Sequence, residues 1–383
     1  MIDRRRLLSM GAIASATLAV PARTALAATR ADKLTAYVDP FIGTDGTGHC
    51  FPGPSRPFGM VQPGPDNADS GWDFTSGYQY RAPTIMGFSQ TRASGTGIPE
   101  LGDILLQPLL DPRDDLASRY DKASEVARPG YYAATLTDNG VRVELTSGLR
   151  VALHRYRFAR GGRVWVLVDS EHRLRFLTKE PVDAASVRTT PTGAEGSITA
   201  TNWTKRTIAF ALEFDHAVAE VRTLPSTKAP RYLLGFDLAA GAQLQAKIAV
   251  STTDVAGARA NMAELPGWNF DGVARAADGE WEALLERITI SADARTKRIF
   301  YTALYHLFLQ PSIISDADGR YRGPTGQIAK ARGRHYYSTL SLWDTFRAAH
   351  PLYTLLIPER VNDFVLTLLD HAKAAGTLPL WPI

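Results

Sequence analysis

The chain has 383 residues, 45% apolar and 21% charged, an ordinary balance for a soluble globular protein and too long for one small core. Asp3 with Arg4, Arg5, Arg6 and Arg23 contributes +3 of the formal +4, so 39 basic residues face 38 acidic ones beyond Ala27. That near-neutral remainder excludes the positive field of a nucleic-acid binder, and the lone Cys50 excludes an intrachain disulfide or a cysteine-built zinc centre.

The first 27 residues read as an export leader. Arg4-Arg5-Arg6-Leu7-Leu8 precedes an apolar run from Met10 to Val20, and Ala25-Leu26-Ala27 is a small-x-small cleavage site. The paired arginines and leucines resemble a twin-arginine signal, which predicts a periplasmic or secreted protein; an ordinary secretory leader is the alternative. The run is too short and too rich in Ala and Gly for a membrane span, and no later stretch matches its length, so no span is expected in the mature protein.

From Asp39 to Gly102 the sequence is dense in Gly, Pro, Ser and Thr and has no long helical period. It predicts loops and short strands, ordered by aromatics such as Phe41, Phe51, Phe58, Trp72 and Tyr78. Cys50 in this region fits a small buried apolar residue; a catalytic thiol is the alternative, with His49 nearby. From about Tyr131 the pattern turns to strand. Tyr131 to Thr137 and Val141 to Thr146 flank Asp138-Asn139-Gly140, a hairpin signal, and Val151 to Phe158, Val164 to Val168, Ile208 to Phe214, Tyr232 to Phe236 and Leu244 to Val250 follow. Many short strands between turns predict an antiparallel β-sandwich.

After Pro266 the period changes. Helices are expected over Val273 to Ile288, over residues 294–309 with Phe300, Leu304, Leu307 and Phe308 on one face, and over residues 359–373 with Val361, Phe364, Val365, Leu368 and Leu369. A hairpin around Asp318-Gly319 is expected between them. The fold class is therefore β then α, with a sandwich and a helical domain joined near residue 265. Three or four amphipathic helices cannot close a helical barrel, so their inner faces are expected to lack partners within this sequence.

Several segments resemble glycoside hydrolase family 92: Val38-Asp39-Pro40-Phe41-Ile42-Gly43-Thr44, Phe51-Pro52-Gly53, Pro57-Phe58-Gly59-Met60, Gly87-Phe88-Ser89, Ser94-Gly95-Thr96-Gly97, Leu101-Gly102-Asp103-Ile104-Leu105 and Pro129-Gly130-Tyr131-Tyr132. Tyr337 to Arg347, with Leu342-Trp343-Asp344-Thr345-Phe346 at its centre, and Leu378-Pro379-Leu380-Trp381-Pro382 continue the series in family order. The resemblance implies an antiparallel β-sandwich over residues 31–265, a helical linker over 266–292 and the first helices of an incomplete (α/α)6 barrel over 293–383. It also implies a calcium-dependent, inverting exo-α-mannosidase, often acting on α-1,2 linkages of mannose-containing glycans. Inversion needs an acid and a base about 6.5–9.5 Å apart on opposite sides of the sugar. In the family those carboxylates and most calcium ligands lie in later barrel helices, so no catalytic residue and no metal ligand is assigned here, and the chain by itself is expected to be inactive.

The substrate-binding candidates are Asp344, Trp343, Trp72, His49, Gly46, Gly48, Gln90 and Arg92. Asp344, a short acceptor beside Trp343, fits a carboxylate gripping sugar hydroxyls next to an aromatic platform, and the resemblance implies a binder of the terminal mannose. A first-turn helix charge, paired with Arg347, is the alternative. Gly46-Thr47-Gly48-His49 and Trp72-Asp73 offer bare backbone, a hydrogen-bonding ring and an apolar face, although Gly-x-Gly also makes ordinary tight turns. Gln90-Thr91-Arg92 departs from the His-Thr-His common in the family and puts linkage preference in question.

No Gly-Lys-Ser/Thr follows the glycines after Gly43, which excludes a phosphate loop. Asp316-Ala317-Asp318-Gly319 lacks the final Glu of a calcium loop. His154, His172, His216, His306, His335, His350 and His371 show no His-Glu-x-x-His spacing, and there is no Gly-x-Ser-x-Gly elbow. A non-catalytic carbohydrate-binding sandwich, or a glycoside phosphorylase on a similar scaffold, are the alternatives to hydrolysis.

Overall fold

Alternating apolar residues decide the architecture. In Gly162–Asp169 the even positions Val164, Val166 and Val168 are buried in one core, while Trp165 and Leu167 face a smaller cluster on the other side. The computed structural model describes residues 33–113, 117–338 and 341–379; the expected export leader lies outside them.

Two antiparallel sheets pack face to face. One has six strands in the order Gly64–Asp66, Gly87–Ser89, Leu105–Leu109, Gly162–Asp169, Arg231–Leu238, Glu220–Leu224. The other has nine, in the order Ala184–Thr190, Gly193–Thr201, Lys205–Phe214, Gln243–Ser251, Val151–Phe158, Val141–Ser147, Tyr131–Leu136, Ser118–Arg128, Thr84–Ile85. Val166, Leu234 and Phe236 of the first meet Val143, Phe210 and Ile248 of the second in the main core. The Asn139-Gly140 hairpin forms as expected, with Leu136 opposite Val141 and Gly140 at φ 60°. Asn139 is buried and its amide donates to the Pro108 carbonyl at 3.0 Å, so this turn also ties the sheets together.

Helices cover the outer face of the nine-stranded sheet. Helix α1 (Val255–Asn261) and helix α2 (Phe270–Leu285) bury Ala258, Phe270 and Ala274 against Val151, Leu153, Ala211 and Ala249. Asp254 and Asn269 cap them by accepting from Gly257 and Gly272. Helix α3 (Ala294–Leu307), the short α4 (Leu342–Thr345), α5 (Ala349–Leu356) and α6 (Pro358–Ala375) follow. Helix α6 starts with Pro358 and ends on Gly376 at φ 82°, the usual chemistry of both ends.

The sandwich and helices share a core. Phe51 and Phe58, from loops that precede the first strand, are buried with Trp281, Tyr305, Phe308, Tyr353 and Phe364. Phe58 N–H donates to the Phe308 carbonyl at 2.9 Å, and Ile313 N–H returns to the Phe58 carbonyl at 2.8 Å. The indole N–H of Trp281 donates to the Ser55 carbonyl at 2.7 Å. This wedge holds the loops of residues 43–59 against the helices.

Some expectations shift. The hairpin lies one step later than expected: Arg320–Arg322 pairs with Ile328–Lys330, and the chain reverses at Gly323–Gly326, where Gly326 has φ 82° and donates to the Gly323 carbonyl at 2.9 Å. Asp318-Gly319 instead leads into that hairpin. Helices α1 and α5 and the strands Ser118–Arg128, Ala184–Thr190, Gly193–Thr201 and Glu220–Leu224 had no counterpart in the sequence reading. Among the described residues, no helix is long and apolar enough to cross a membrane.

Candidate functional site

Glycine makes the first loop possible. A Cβ on Gly48 would sit 2.3 Å from the Gly43 carbonyl oxygen, so only glycine lets the chain fold back and place Cys50 N–H on that carbonyl at 3.0 Å. Gly46, at φ 58°, is exposed with open space above it, and its carbonyl accepts from the Gln79 side chain at 2.8 Å. The same Gln79 amide donates to the Asp73 carbonyl, which locks this loop to the one that carries Trp72.

His49 and Trp72 meet across these loops. Their rings are 4.9 Å apart and edge-to-face. His49 has φ 53°, a left-handed conformation strained for a residue with a side chain, and Gly95 N–H fixes it by donating to its carbonyl at 2.8 Å. Its ring is 3% exposed, and Nε2 has no protein hydrogen-bond partner among the described residues. Trp72 is 58% exposed, with its indole against bare Gly97. An open aromatic face, an unfilled imidazole nitrogen and uncovered backbone together suit a ligand with both C–H faces and hydroxyls, which is what a sugar presents.

Cys50 follows His49, and its surroundings favour the thiol over the thiolate. Burial pushes its thiol up, only partly offset by a hydrogen bond with Ser94, and His306 Nδ1 is 4.0 Å away. Burial lowers His306 to about 4, so at pH 7 it is a weak base and carries no positive charge that would favour a thiolate.

Gln90 and Arg92 do not join the open face. Gln90 is buried, donating to the carbonyls of Phe88 at 2.8 Å and Ile104 at 3.1 Å, with Oε1 3.0 Å from His154 Nε2. Its amide is spent inside the sandwich. Arg92 is buried with Asp66 at 2.5 Å, and His172 Nε2 takes the other carboxylate oxygen at 2.8 Å. Arg92 also donates to the carbonyls of Ser76 at 2.6 Å and Gly64, and to Ser89 Oγ at 3.0 Å. Burial opposes ionisation of Asp66, but Arg92 and His172 outweigh it and hold the carboxyl below its usual range. Arg92 thus supports the loops from below: Ser76, whose carbonyl it holds, donates its hydroxyl to the Cys50 carbonyl at 2.9 Å.

Trp343 and Asp344 lie on α4. Trp343 is 64% exposed, and Asp344 is exposed with Ser341 Oγ donating to it at 2.6 Å. Asp344 has no ion-pair partner among the described residues; Arg347 instead lies 5.3 Å from the centre of the Phe346 ring. Helix α4 borders an apolar cleft lined by Gln310, Tyr337, Leu342, Thr345, His350 and Tyr353. The Gln310 amide reaches the Arg92 carbonyl at 3.4 Å, so this residue stands between the loops and the cleft. Gly97 stands in the Ser94-Gly95-Thr96-Gly97 segment of the family resemblance, while Gln79, Ser76 and Gln310 carry no local signal of a site.

No three His, Cys, Asp or Glu side chains converge to hold a metal among the described residues. Asp316, the first acid of the apparent calcium loop, is buried and already accepts from Ser251 at 2.7 Å, Thr253 at 2.6 Å and Asn261 at 2.9 Å.

Known families place this arrangement. The profile of the glycosyl hydrolase family 92 N-terminal domain matches residues 37–251, and that of the family 92 catalytic domain matches residues 257–383. The chain belongs to glycosyl hydrolase family 92. It is similar to the family 92 α-mannosidase from Bacteroides thetaiotaomicron, with 34% identity and a TM-score of 0.87 over 92% of this chain and 51% of that one; that enzyme has also been solved with mannoimidazole. A family 92 inverting mannosidase of the same organism shares the fold at 23% identity and a TM-score of 0.81, over 92% of this chain and 50% of that one. A protein described as an uncharacterized secreted glycosidase of Arthroderma benhamiae is 36% identical over 133 residues, 32% of this chain and 17% of that protein. The family 92 chain described here thus spans about half the length of the solved structures it matches.

Proposed function

We propose that the chain supplies the sugar-binding part of an exo-acting, inverting α-mannosidase that removes terminal mannose from glycans, with α-1,2 linkages as the preferred substrate. The observation that carries this reading is the open Trp72 face beside the unfilled His49 Nε2 on glycine-bare loops. Trp72 takes the apolar face of the terminal mannose, while His49 and loop backbone take its hydroxyls. Asp344 with Trp343 forms a second holding point, and residues 31–265, 266–292 and 293–383 act as sandwich, linker and barrel segments.

Proton transfer is assigned elsewhere than to these residues. Inversion requires two carboxyls about 6.5–9.5 Å apart with water between them. The cleft beside α4 has no carboxylate among its lining residues, and the buried Asp66 is committed to an arginine and a histidine. The chain on its own binds mannose without hydrolysing mannosides, and calcium is bound by groups other than those described. Incubating the chain with α-1,2-mannobiose and calcium tests this: no free mannose is expected, and calcium-dependent release would overturn it. Binding without turnover by a longer protein that includes this chain would favour a purely carbohydrate-binding role.

Export completes the reading. The arginine-rich leader and the likeness to a protein described as secreted support a periplasmic or secreted location. Fractionation of cells that produce the chain with Arg4 and Arg5 changed to Lys should show it retained in the cytoplasm if the twin-arginine route is used.

A further inference from the structure

We infer that Lys122 is a positioning residue for the sugar-binding loops, an assignment that rests on the mannose-binding reading of those loops. Its ammonium, seated among four aromatic rings, draws in the segments that fix the Gly46 turn and the stretch carrying Trp72.

Lys122 lies on the strand Ser118–Arg128. Its Nζ is 2.6 Å from the Glu125 carboxylate and donates to the hydroxyls of Tyr78 at 2.6 Å and Tyr120 at 3.3 Å. The same Nζ lies 3.7 Å from the centre of the Tyr80 ring, 5.2 Å from Tyr78, 5.4 Å from Tyr120 and 5.6 Å from Phe41. All four rings are within the distance at which an aromatic face attracts a cation. The Glu125 side chain is 1% exposed and also accepts from the hydroxyls of Tyr78 at 2.9 Å and Tyr132 at 2.7 Å. A buried carboxylate therefore holds the ammonium from the sheet side, and the ammonium holds the rings of Phe41 and Tyr80, which also meet each other edge-to-face at 5.6 Å.

Those two rings lead directly to the site. The Phe41 carbonyl accepts from the Thr44 N–H at 3.1 Å and the Thr44 hydroxyl at 2.8 Å, and the Thr44 carbonyl accepts from the Tyr80 N–H at 2.9 Å. Gln79, between the two caged tyrosines, sends its amide to the Gly46 carbonyl at 2.8 Å and to the Asp73 carbonyl. Seating Tyr78 and Tyr80 on Lys122 thus sets where the Gln79 amide stands, and with it the Gly46 turn and the segment of Trp72. Arg81 and Asp45 join the same two segments at 2.8 Å, but their side chains are 85% and 40% exposed, and an ion pair so open to water contributes little. The caged ammonium is the stronger tie.

The test combines calorimetric titration of mannose, urea unfolding and amide hydrogen exchange over residues 41–50, all on the full chain. Lys122→Met alone would strand the buried Glu125 charge, so the deciding variant joins it to Glu125→Gln and removes both charges. Its urea midpoint should lie close to that of the unchanged chain, while mannose binds about five-fold more weakly and residues 41–50 exchange about five-fold faster. Tyr80→Leu should weaken mannose to a similar degree, and Tyr80→Phe, which keeps the ring, should bind like the unchanged chain. If the unchanged chain binds mannose and both the double variant and Tyr80→Leu bind it equally well, the role of Lys122 is overturned and the mannose reading stands. Affinity losses that simply follow the urea midpoints, with exchange over residues 41–50 unaltered, would make the cage a stability element only and overturn it as well. If the unchanged chain does not bind mannose, the mannose reading itself falls and takes this role with it.

Discussion

Replacing Arg92 with Met removes one partner from an ion pair that is wholly buried. Asp66 keeps His172 but loses its guanidinium, and the carbonyls of Ser76 and Gly64 lose charged donors. Removing one half of such a pair costs about 3–5 kcal/mol, a large share of a total stability of about 5–15 kcal/mol. The sign of the pH dependence follows from Asp66. Its folded pKa is depressed in the unchanged chain, so its contribution is present above the unfolded value of about 3.9 and lost as pH falls through the folded value. Without Arg92 the burial penalty is less opposed, the carboxyl moves up, and protonation relieves the uncompensated charge. Urea unfolding should show the deficit of Arg92→Met shrinking as pH is lowered from about 8 toward 5. Adding Asp66→Asn to Arg92→Met should recover part of the loss. A loss below about 1 kcal/mol, or no recovery in the double variant, would refute the buried-pair argument.

Other perturbations test neighbouring steps. Gly48→Ala forces a methyl onto the Gly43 carbonyl, so mannose affinity should fall about ten-fold, or 1.4 kcal/mol, with little change in urea midpoint; unchanged affinity would separate this loop from binding. Phe58→Ala empties a site lined by the rings of Phe308, Tyr337, Tyr353 and Phe364 and should cost about 3–5 kcal/mol in urea unfolding. A much smaller loss would mean that this wedge does not join sheet to helices. Burial resists ionisation of Asp103, yet Arg206 and Arg173 draw its carboxyl down to about 2, so its stabilisation is complete above about pH 4 and lost as pH falls through about 2. Asp103→Asn should be clearly less stable at pH 7 and should show less acid sensitivity in that window; equal sensitivity would contradict the assignment.

The main core was legible because its strands carry their own signal. Val164 to Val168 is an unbroken apolar run, Leu244 to Val250 sets Leu244, Ala246, Ile248 and Val250 at alternate positions, and Asn139-Gly140 fixes a turn by its own conformational preference. Ser118–Arg128 is different: Arg119 and Asp121 are exposed but Glu125 is buried against Tyr78, Tyr132 and Lys122, and the pairing with Tyr131–Leu136 shifts between Asp121 and Val126, so the neighbours set this strand, not its own alternation. Helix α1 is short and rich in Ala and Gly, and only its Asp254 cap was a local clue.

The site was legible in part for a similar reason. His49, Trp72 and the glycines of their loops come together because those loops are stitched by near neighbours such as Gln79 and Gly95. Gln90 and Arg92 read as ligand-facing because Gln90-Thr91-Arg92 stands where the family resemblance implies His-Thr-His. Their histidine partners His154 and His172 lie far along the chain, and nothing local marks Asp66 as the carboxylate that Arg92 meets.

The most direct measurement is calorimetric titration of mannose into the unchanged chain and its Trp72→Ala variant. Saturable binding that weakens at least about ten-fold in the variant, a difference of 1.4 kcal/mol or more, is the predicted result. Equal heats and equal affinity in the two proteins would contradict the claim that these loops cradle the sugar.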